Sequence, residues 1–502
     1  MSRMSWKLVA ILTTCWATFG CINSLSSKQL VNAAVQAMGG INNLENIRSI
    51  IRKGNGTRTN MGQSRIPGEP EPTGSIRNYV EVLDQVNTSA GFDYDFEIGD
   101  FKQHRREVFT KYDVGFETKP VGYIDLGGRM AAVSPAALVS YSAFSSPEMA
   151  LRREITLILL SAVETALTAQ TVRQESFNGK MCNFGQAKTR YGESMTMYFD
   201  PDTKLLEGYE VIETDTVLGD VPVQYVFEDY RKVSDVLLPF KLKIRRNSQD
   251  SAEITYDSIA FELGATKDWF TIPPEVEADA KKAAVGPYVP MKVSRMLPGV
   301  YLAQGFTHNS LIVEFPDYVA VLEAPLDDVQ TRVMIDEVRK FVPLKEIRYV
   351  IPTHHHSDHI GGVRSFVARG ATVIVEKRHE AIMRKLLESR HAHFRDELQT
   401  AKDTRGGGIE IGDVEVFEGK KELANGGRSI ELHAIEGSPH ASPAIVAYMP
   451  RERLLFQSDL FPAAGPVAAH LRESIAKLNL RPDRIVGGHG APTPAADLAK
   501  AQ

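Results

Sequence analysis

Alternation of apolar and polar residues dominates the chain between residues 194 and 256. Apolar side chains recur there at every second position in short segments, and turn-forming residues such as Asp200-Pro201-Asp202 separate the segments. The segments are 194–199, 209–214, 221–225, 240–245 and 252–256. A period of two residues is typical of β-strands with one buried face. The pattern therefore predicts an antiparallel sheet.

Helical spacing of apolar residues precedes this sheet at two places. One helix is predicted over 28–38, ended by Gly39 and Gly40, and a second over 147–168, where apolar residues recur every three or four positions. We expect the second helix to lie across the sheet. Residues 27–276 are thus predicted to form a β-rich α+β domain.

Two segments of this domain, 238–241 and 269–274, resemble those of bacterial half-barrel domains related to periplasmic lipoprotein carriers. The resemblance includes no catalytic motif. We interpret the domain as a packing or docking module, and a lipid-binding groove is the alternative.

The pattern changes near 277–291, where Ala, Lys and Pro replace the alternation, and this stretch is predicted to be a linker. Residues 292–502 then mix consecutive strand patterns with strand–helix–strand patterns. Strands are predicted at 300–302, 310–314, 318–322, 349–351 and 371–375, and helices at 329–341 and 362–369. The class is therefore α/β.

The densest group of chemically active residues follows the apolar strand that ends at Ile351. His354, His356, Asp358 and His359 stand within six positions of one another, before Gly361 and Gly362. Imidazole and carboxylate groups on one short turn after a buried strand are able to converge on a metal ion. His440, Asp459 and His489 follow downstream, each at the end of a strand-like segment.

The H-x-H-x-D-H spacing and the order of the later residues resemble the metallo-β-lactamase superfamily. The resemblance covers about 296–492 and implies a four-layer αββα sandwich. It also implies one metal ion held by His354, His356 and His440, a second held by Asp358, His359 and His489, and Asp459 as the bridge between them. Ligands without thiolate suit zinc first, with iron or manganese as alternatives.

The resemblance implies hydrolysis by a metal-activated hydroxide that Asp358 orients as the catalytic residue. An aspartate at position 459 is similar to the ligand set of glyoxalase II, so a carboxylic ester, thioester or lactone is the expected substrate. A sulfate or phosphate ester is the alternative, for which Arg384, Lys385 and Arg390 would supply positive charge. A third possibility is a lipid-binding or lipid-sensing protein with a structural metal site.

The interval between His359 and His440 is long, and 380–401 is predicted to form a helical insert beside the pocket, ended by the glycine run 406–408. His355 is expected to lie outside the metal ligands because it alternates away from its neighbours. His308 is a candidate for substrate contact. His391, His393, His433 and His470 are expected to be surface or packing residues.

At the N-terminus, Arg3 and Lys7 precede an apolar run that is short for a membrane span, which predicts a signal peptide over 1–21. Export follows, to the periplasm, the outer membrane or the medium, and a lipidated Cys21 would attach the protein to a membrane. The formal net charge of -5 and the lack of a basic block argue against nucleic acid as a partner. A small-molecule substrate is expected, and the oligomeric state stays open.

Overall fold

The computed structural model describes residues 25–141, 146–168, 173–261, 267–404, 414–463 and 465–501. The predicted signal peptide with Cys21 and the glycine run 406–408 lie outside these ranges. Among the helices of the described ranges, none is both long and apolar enough to cross a membrane.

A single antiparallel sheet forms most of the N-terminal domain. Its strands are β1 (Ser49–Thr59), β2 (Thr73–Asp84), β3 (Ser89–Ile98), β4 (Phe101–Val114), β5 (Glu117–Asp125), β6 (Met130–Val133), β7 (Arg173–Phe177), β8 (Lys180–Lys188), β9 (Ser194–Phe199), β10 (Leu206–Asp215), β11 (Gly219–Val233), β12 (Val236–Arg246) and β13 (Gln249–Ala260). The strand order is β6-β5-β4-β3-β2-β1-β13-β12-β11-β10-β9-β8-β7. The first strand therefore pairs with the last, and the predicted antiparallel sheet is confirmed.

Helices cover one face of this sheet or lie at its end. They are α1 (Ser27–Ala37), α2 (Ile41–Glu45), α3 (Pro135–Tyr141), α4 (Pro147–Arg152), α5 (Ile155–Thr165) and α6 (Glu277–Val285). A capping box begins α1, because Ser26 accepts from the Gln29 backbone and Gln29 accepts from the Ser26 backbone. Val31 of α1 and Leu159 of α5 share a hydrophobic core with Tyr209 of β10.

The single helix predicted over 147–168 is wrong, since the structure has α4 and α5 with a break between them. Glu154 caps α5 by accepting a hydrogen bond from the Thr156 backbone. The neighbouring Arg153 is buried and pairs with Glu193 at 2.6 Å. The apolar spacing carries no information about this capping carboxylate or its buried neighbour.

The C-terminal domain contains two further sheets. The first has β14 (Met291–Leu297), β15 (Val300–Gly305), β16 (Asn309–Glu314), β17 (Val319–Leu322), β18 (Ile347–Ile351), β19 (Thr372–Glu376) and β20 (Val414–Phe417) in that order. The second has β21 (Lys420–Asn425), β22 (Arg428–Ile435), β23 (Ala444–Met449), β24 (Leu454–Phe456), β25 (Arg484–Val486) and β26 (Thr493–Pro494). Pairing is parallel from β17 to β20 and between β24 and β25, and antiparallel elsewhere.

The two sheets pack face to face between layers of helices. These helices are α7 (Asp328–Arg339), α8 (Ser357–Ile360), α9 (Val363–Ala368), α10 (Glu380–Glu388), α11 (Glu397–Thr404) and α12 (Pro466–Lys477). Leu311 and Ile351 of the first sheet share a core with Ile430 and Phe456 of the second. Helices α7, α9, α10 and α11 pack on the outer face of the first sheet, and α12 packs on that of the second. The expected αββα sandwich is confirmed.

The predicted helical insert is the pair α10 and α11, which the buried Arg364 of α9 holds in place. The Arg364 guanidinium pairs with Asp396 before α11, and its Nη1 donates to the Leu386 carbonyl of α10 at 2.7 Å. The hairpin between β10 and β11 packs against the same insert. Asp220 accepts from the Ala392 backbone at 2.8 Å and donates its own N–H to the Arg390 carbonyl at 2.7 Å.

A second contact joins the domains near the segment predicted as a linker, 277–291, where α6 packs on the sheet through the buried Ala280. An apolar cluster here combines side chains of both domains. From the N-terminal sheet and α3 come Phe109, Ile124 and Leu138; from the other side come Val289, Phe306, Leu326 and Val329. The two domains therefore share a buried interface, and the exact division between them stays a prediction.

This interface predicts the effect of truncating Leu138, which is 0% exposed. Leu138→Ala should lower the free energy of unfolding by about 2–5 kcal/mol, because it leaves a cavity where the domains meet. Chemical denaturation would measure the change. Leu344→Ala is the control, because Leu344 is 96% exposed, and a surface leucine is expected to change stability by no more than about 0.5 kcal/mol. An equal effect of the two substitutions would contradict the assignment of Leu138 to a packed interface.

Candidate metal centre

The turn after β18 is held against the segment that follows β17. The Leu326 backbone donates to the Asp358 carbonyl at 2.9 Å, and the Gly362 backbone donates to the Ala324 carbonyl at 2.8 Å. A Cβ atom at Gly361 would lie 2.0 Å from the Leu326 carbonyl oxygen. Glycine is therefore required for the two segments to approach this closely, and the approach fixes the direction of the histidine side chains.

Three imidazoles and one carboxylate form the first group of candidate ligands: His354, His356, His440 and Asp459 each offer an atom within 4.8 Å of the others, and His354 and His356 are buried. One ring nitrogen of His356, Nε2, donates to the Ser64 carbonyl at 3.0 Å. In His354 it is Nδ1 that is occupied, at 3.0 Å from the Thr353 hydroxyl.

Two ring nitrogens of this group, His354 Nε2 and His356 Nδ1, are buried and have no hydrogen-bond partner among the described residues. The Nε2 atom of His440 is buried as well and lies 3.1 Å from the Asp459 carboxylate. Unpaired buried nitrogens are costly unless a ligand satisfies them. Imidazole nitrogens that converge in this way suit a transition metal, so the residues fit the ion that the resemblance implies.

A second group lies on the other side of Asp459 and consists of His308, His359 and His489. The Asp459 carboxylate is 3.2 Å from His359 Nε2 and from His489 Nε2, and 3.1 Å from His440 Nε2 of the first group. Asp459 thus stands between the two groups, where a bridging ligand would stand.

Asp358 is placed differently from the other predicted ligands, because it belongs to neither of these groups. Its Oδ2 accepts from His308 Nε2 at 3.2 Å and lies 3.8 Å from His359 Nε2. Its Oδ1 accepts from the Gln63 amide at 2.7 Å. Asp358 lies at the edge of the second group and shares its oxygens with two side chains that sequence patterns did not assign as ligands.

Glu323 is a further residue of the centre, and it belongs to no sequence motif. It is fully buried at the end of β17 with a positive φ of 76°, and its Oε2 accepts from His359 Nδ1 at 2.6 Å. Its other oxygen accepts from the Thr353 backbone at 2.7 Å. Glu323 fixes the His359 ring so that Nε2 faces Asp459, as carboxylates behind metal-binding histidines do.

Burial and charge set the protonation of the imidazoles. Burial lowers the pKa of His354 well below its ordinary value, that of His356 to about 3 and that of His308 to about 4. These rings are therefore neutral near pH 7, which is the form that binds a metal.

His359 behaves in the opposite way. Burial opposes its charge, but the facing carboxylates, Asp459 foremost, outweigh burial and raise the pKa of His359 well above its ordinary value. Burial also opposes ionisation of Asp459, yet His359 and His489 hold the pKa of this carboxyl well below its ordinary value. The local field therefore favours a positive charge beside Asp459, which a metal cation would provide.

The other histidines lie apart from these ligand groups. His355 points to the Ser64 carbonyl, to which its Nε2 donates at 2.8 Å. His433 pairs with Glu431, His391 lies 3.5 Å from Asp396, and His393 lies 3.4 Å from Glu193. Within the described residues, neither they nor His470 belong to a candidate metal group.

Comparison with known proteins bears on the region that carries this centre. The sequence model of the metallo-beta-lactamase superfamily matches residues 303–489. No curated protein sequence matches the chain. The matched range includes every candidate ligand described above.

Solved structures show partial similarity. The stereoselective inverting sec-alkylsulfatase Pisa1 from Pseudomonas sp. shares 18% identity with a TM-score of 0.32, over 42% of this chain and 40% of that chain. The metallo-beta-lactamase from Pontibacter korlensis shares 16% identity with a TM-score of 0.32, over 42% and 96%. The DIM-1 metallo-beta-lactamase shares 14% identity with a TM-score of 0.32, over 42% and 96%. The chain thus aligns with less than half of the alkylsulfatase, and similarities of this size support no statement about substrate.

The match to the superfamily model therefore carries more weight than the structural similarities, and it agrees with the αββα sandwich. Residues 303–489 of the chain match the metallo-beta-lactamase superfamily, and this region has the fold of that superfamily.

Proposed function

We propose that the protein is an exported hydrolase with two zinc ions at this centre, and that its substrate is a carboxylic ester, a thioester or a lactone. The observation that carries the proposal is the pair of buried, unpartnered ring nitrogens of His354 and His356, which converge with His440 on Asp459. Iron or manganese would fit the same nitrogen and oxygen ligands.

Zinc would supply Lewis-acid activation of water and of the attacked substrate group. His354, His356 and His440 would hold one ion, and His359 and His489 with Asp358 would hold the other. His489 is prepared for this role because its Nδ1 donates to the Thr307 carbonyl at 2.8 Å, which leaves Nε2 facing Asp459. Asp358 would orient the attacking water.

The basic side chains of the insert bear on the choice between an ester and a sulfate or phosphate ester. Recognition of those anions needs free basic side chains, and the insert was the expected source of them. Arg384 of α10 instead pairs with Glu380 on the same helix at 2.8 Å and is 38% exposed. A solvated pair of this kind supplies little charge to a pocket. The sulfate or phosphate ester therefore stays the second candidate.

The lipid-binding alternative concerns a small cavity of about 50 Å³ between the α4–α5 junction and the N-terminal sheet. Aromatic side chains line it, among them Phe92 and Phe227, but so do buried charges. Arg52 pairs there with Glu154 at 2.6 Å and with Glu81 at 3.1 Å. Because these charges satisfy one another inside the domain, the cavity supports packing more than an apolar ligand.

The first prediction concerns metal content. Protein reconstituted with zinc and freed of excess metal should contain close to two ions per chain by elemental analysis, since Asp459 faces histidines on both sides. His440→Ala should lower the content towards one ion. A wild-type content of one ion or less would contradict the dinuclear centre.

The second prediction concerns Asp358. Asp358→Ala should lower turnover of ester, thioester or lactone substrates by at least about 100-fold, because even residues behind metal ligands typically cost 10–100-fold. The thermal midpoint of the metal-free protein should change little, because the side chain is outside the apolar core. His104→Ala is the control, since His104 lies on β4 with its side chain 45% exposed. Equal losses in the two variants would refute the assigned role.

Export rests on the sequence of residues 1–21 and is tested by the mass of the mature N-terminus in protein from the native host. Cleavage near residue 21 is expected, and a diacylated Cys21 would identify a lipoprotein. Protein that keeps Met1 and stays in the cytoplasm would refute export.

A further inference from the structure

The loop between β1 and β2, residues 60–72, leaves the N-terminal sheet and lies on the metal centre. It begins where the Asn60 backbone donates to the Pro72 carbonyl at 2.8 Å. From that closed base it contacts both ligand-bearing turns of the other domain. The loop carries no recognised sequence motif, and none of the candidate metal ligands lies in it.

Backbone groups of the loop meet the first ligand turn at successive residues. The Ser357 backbone donates to the Gly62 carbonyl at 2.9 Å. The Ser64 carbonyl accepts from His356 Nε2 at 3.0 Å and from His355 Nε2 at 2.8 Å. Because Ser64 occupies Nε2 of His356, only Nδ1 of that ring is left to face the metal.

The loop also reaches the turn that carries His440. The Ser442 backbone donates to the Arg65 carbonyl at 2.8 Å, and the Ser442 hydroxyl in turn accepts from the Gly437 backbone at 2.9 Å. One loop thus fixes the relative positions of the two turns that carry the first group of ligands.

Gln63 is the side chain of the loop that touches a candidate ligand. Its amide donates to Asp358 Oδ1 at 2.7 Å, while its own backbone N–H donates to Glu71 Oε2 at 2.7 Å. Glu71 therefore anchors Gln63 within the loop. A carboxylate with one oxygen held in this way presents the other in a fixed direction, here towards His308 and His359.

The loop has little freedom to move away, because its parent domain is held on the metal domain elsewhere. Leu138 and its neighbours pack on Phe306 and Leu326, and Asp220 binds the insert. Within the loop, Gly62 has a φ of 73°, and a Cβ atom there would lie 2.7 Å from Ser357 Cβ. Close packing against the ligand turn therefore depends on glycine at position 62.

We infer that the β1–β2 loop is a built part of the metal centre and that Gln63 is a positioning residue, which holds Asp358 for the second metal ion. The inference rests on the proposed dinuclear function. The N-terminal domain would then take part in metal binding, in addition to the packing or docking role expected from its sequence.

Zinc titration of the metal-free full-length protein against a chromophoric chelator tests the inference. In Gln63→Ala the second zinc ion should bind about 10–100-fold more weakly, as for other residues that hold a metal ligand in place, and the first should be unaffected. The thermal midpoint without metal should stay near that of the wild type. Gln174→Ala is the matched control, because Gln174 is an exposed glutamine of β7 bound to Asn183.

Two glycines of the same loop provide an independent comparison. Gly62→Ala should weaken zinc binding because the added methyl group meets Ser357. Gly68→Ala should not, although Gly68 also has a positive φ, of 91°, because a Cβ atom there has nothing within 4 Å. The two substitutions carry similar backbone strain, so a difference between them reports contact with the ligand turn.

Each outcome has a separate meaning. Wild-type protein that binds fewer than two zinc ions would contradict the proposed function and this inference with it. The wild type should bind two zinc ions tightly. If it does, and the zinc dissociation constants of Gln63→Ala and Gly62→Ala equal those of the wild type, the inference alone is refuted. If Gly62→Ala weakens zinc binding and Gln63→Ala does not, the loop takes part in the centre but Gln63 does not position Asp358.

Discussion

The centre depends on imidazoles that are held at one ring nitrogen so that the other nitrogen faces the site. Each ring has its own holder: the Ser64 carbonyl for His356, Glu323 for His359 and the Thr307 carbonyl for His489. A buried imidazole without such a partner would be free to flip or change tautomer, and its metal-facing nitrogen would be lost part of the time. The holders therefore decide the direction of each ligand.

These holders come from distant parts of the chain, which explains why the two domains are packed tightly. Ser64 belongs to the β1–β2 loop of the N-terminal domain, whereas Glu323 and Thr307 follow strands of the sandwich. Phe306 and Leu326 stand beside these last two holders and pack into the apolar cluster shared with the N-terminal domain. Apolar burial at the interface and hydrogen bonding at the centre are thus parts of one arrangement, and a shift of either domain would disturb both.

The electrostatics of the centre agree with this arrangement. Burial opposes the charge of His359, but the surrounding carboxylates, Asp459 foremost, raise the pKa of this imidazole well above its ordinary value. Burial lowers the pKa of His354 and His356, which favours their neutral forms. A metal cation beside Asp459 would balance the negative charge of this carboxylate.

Much of the fold and of the candidate metal centre could be predicted from local sequence. The strand alternation between 194 and 256, the αββα order and the spacing of His354, His356 and His359 are set by side-chain period and by a short turn, so nearby residues determine them. The structure brings His440 and His489 within reach of Asp459. The eight strands β1 to β8 were not predicted individually, and Arg153 and Glu154 lie at a break in a helix that apolar spacing predicted to be continuous.

Only the tertiary structure decided which groups stand behind the ligands. Glu323, His308 and Gln63 lie 36, 50 and 295 positions from the residues they contact, His359, Asp358 and Asp358 respectively. No local period or motif connects positions so far apart, because their meeting depends on how two sheets and two domains pack. The sequence by itself determined the candidate ligands and their order; the packing of the domains determined how each candidate ligand is held, since a hydrogen bond needs both partners in place.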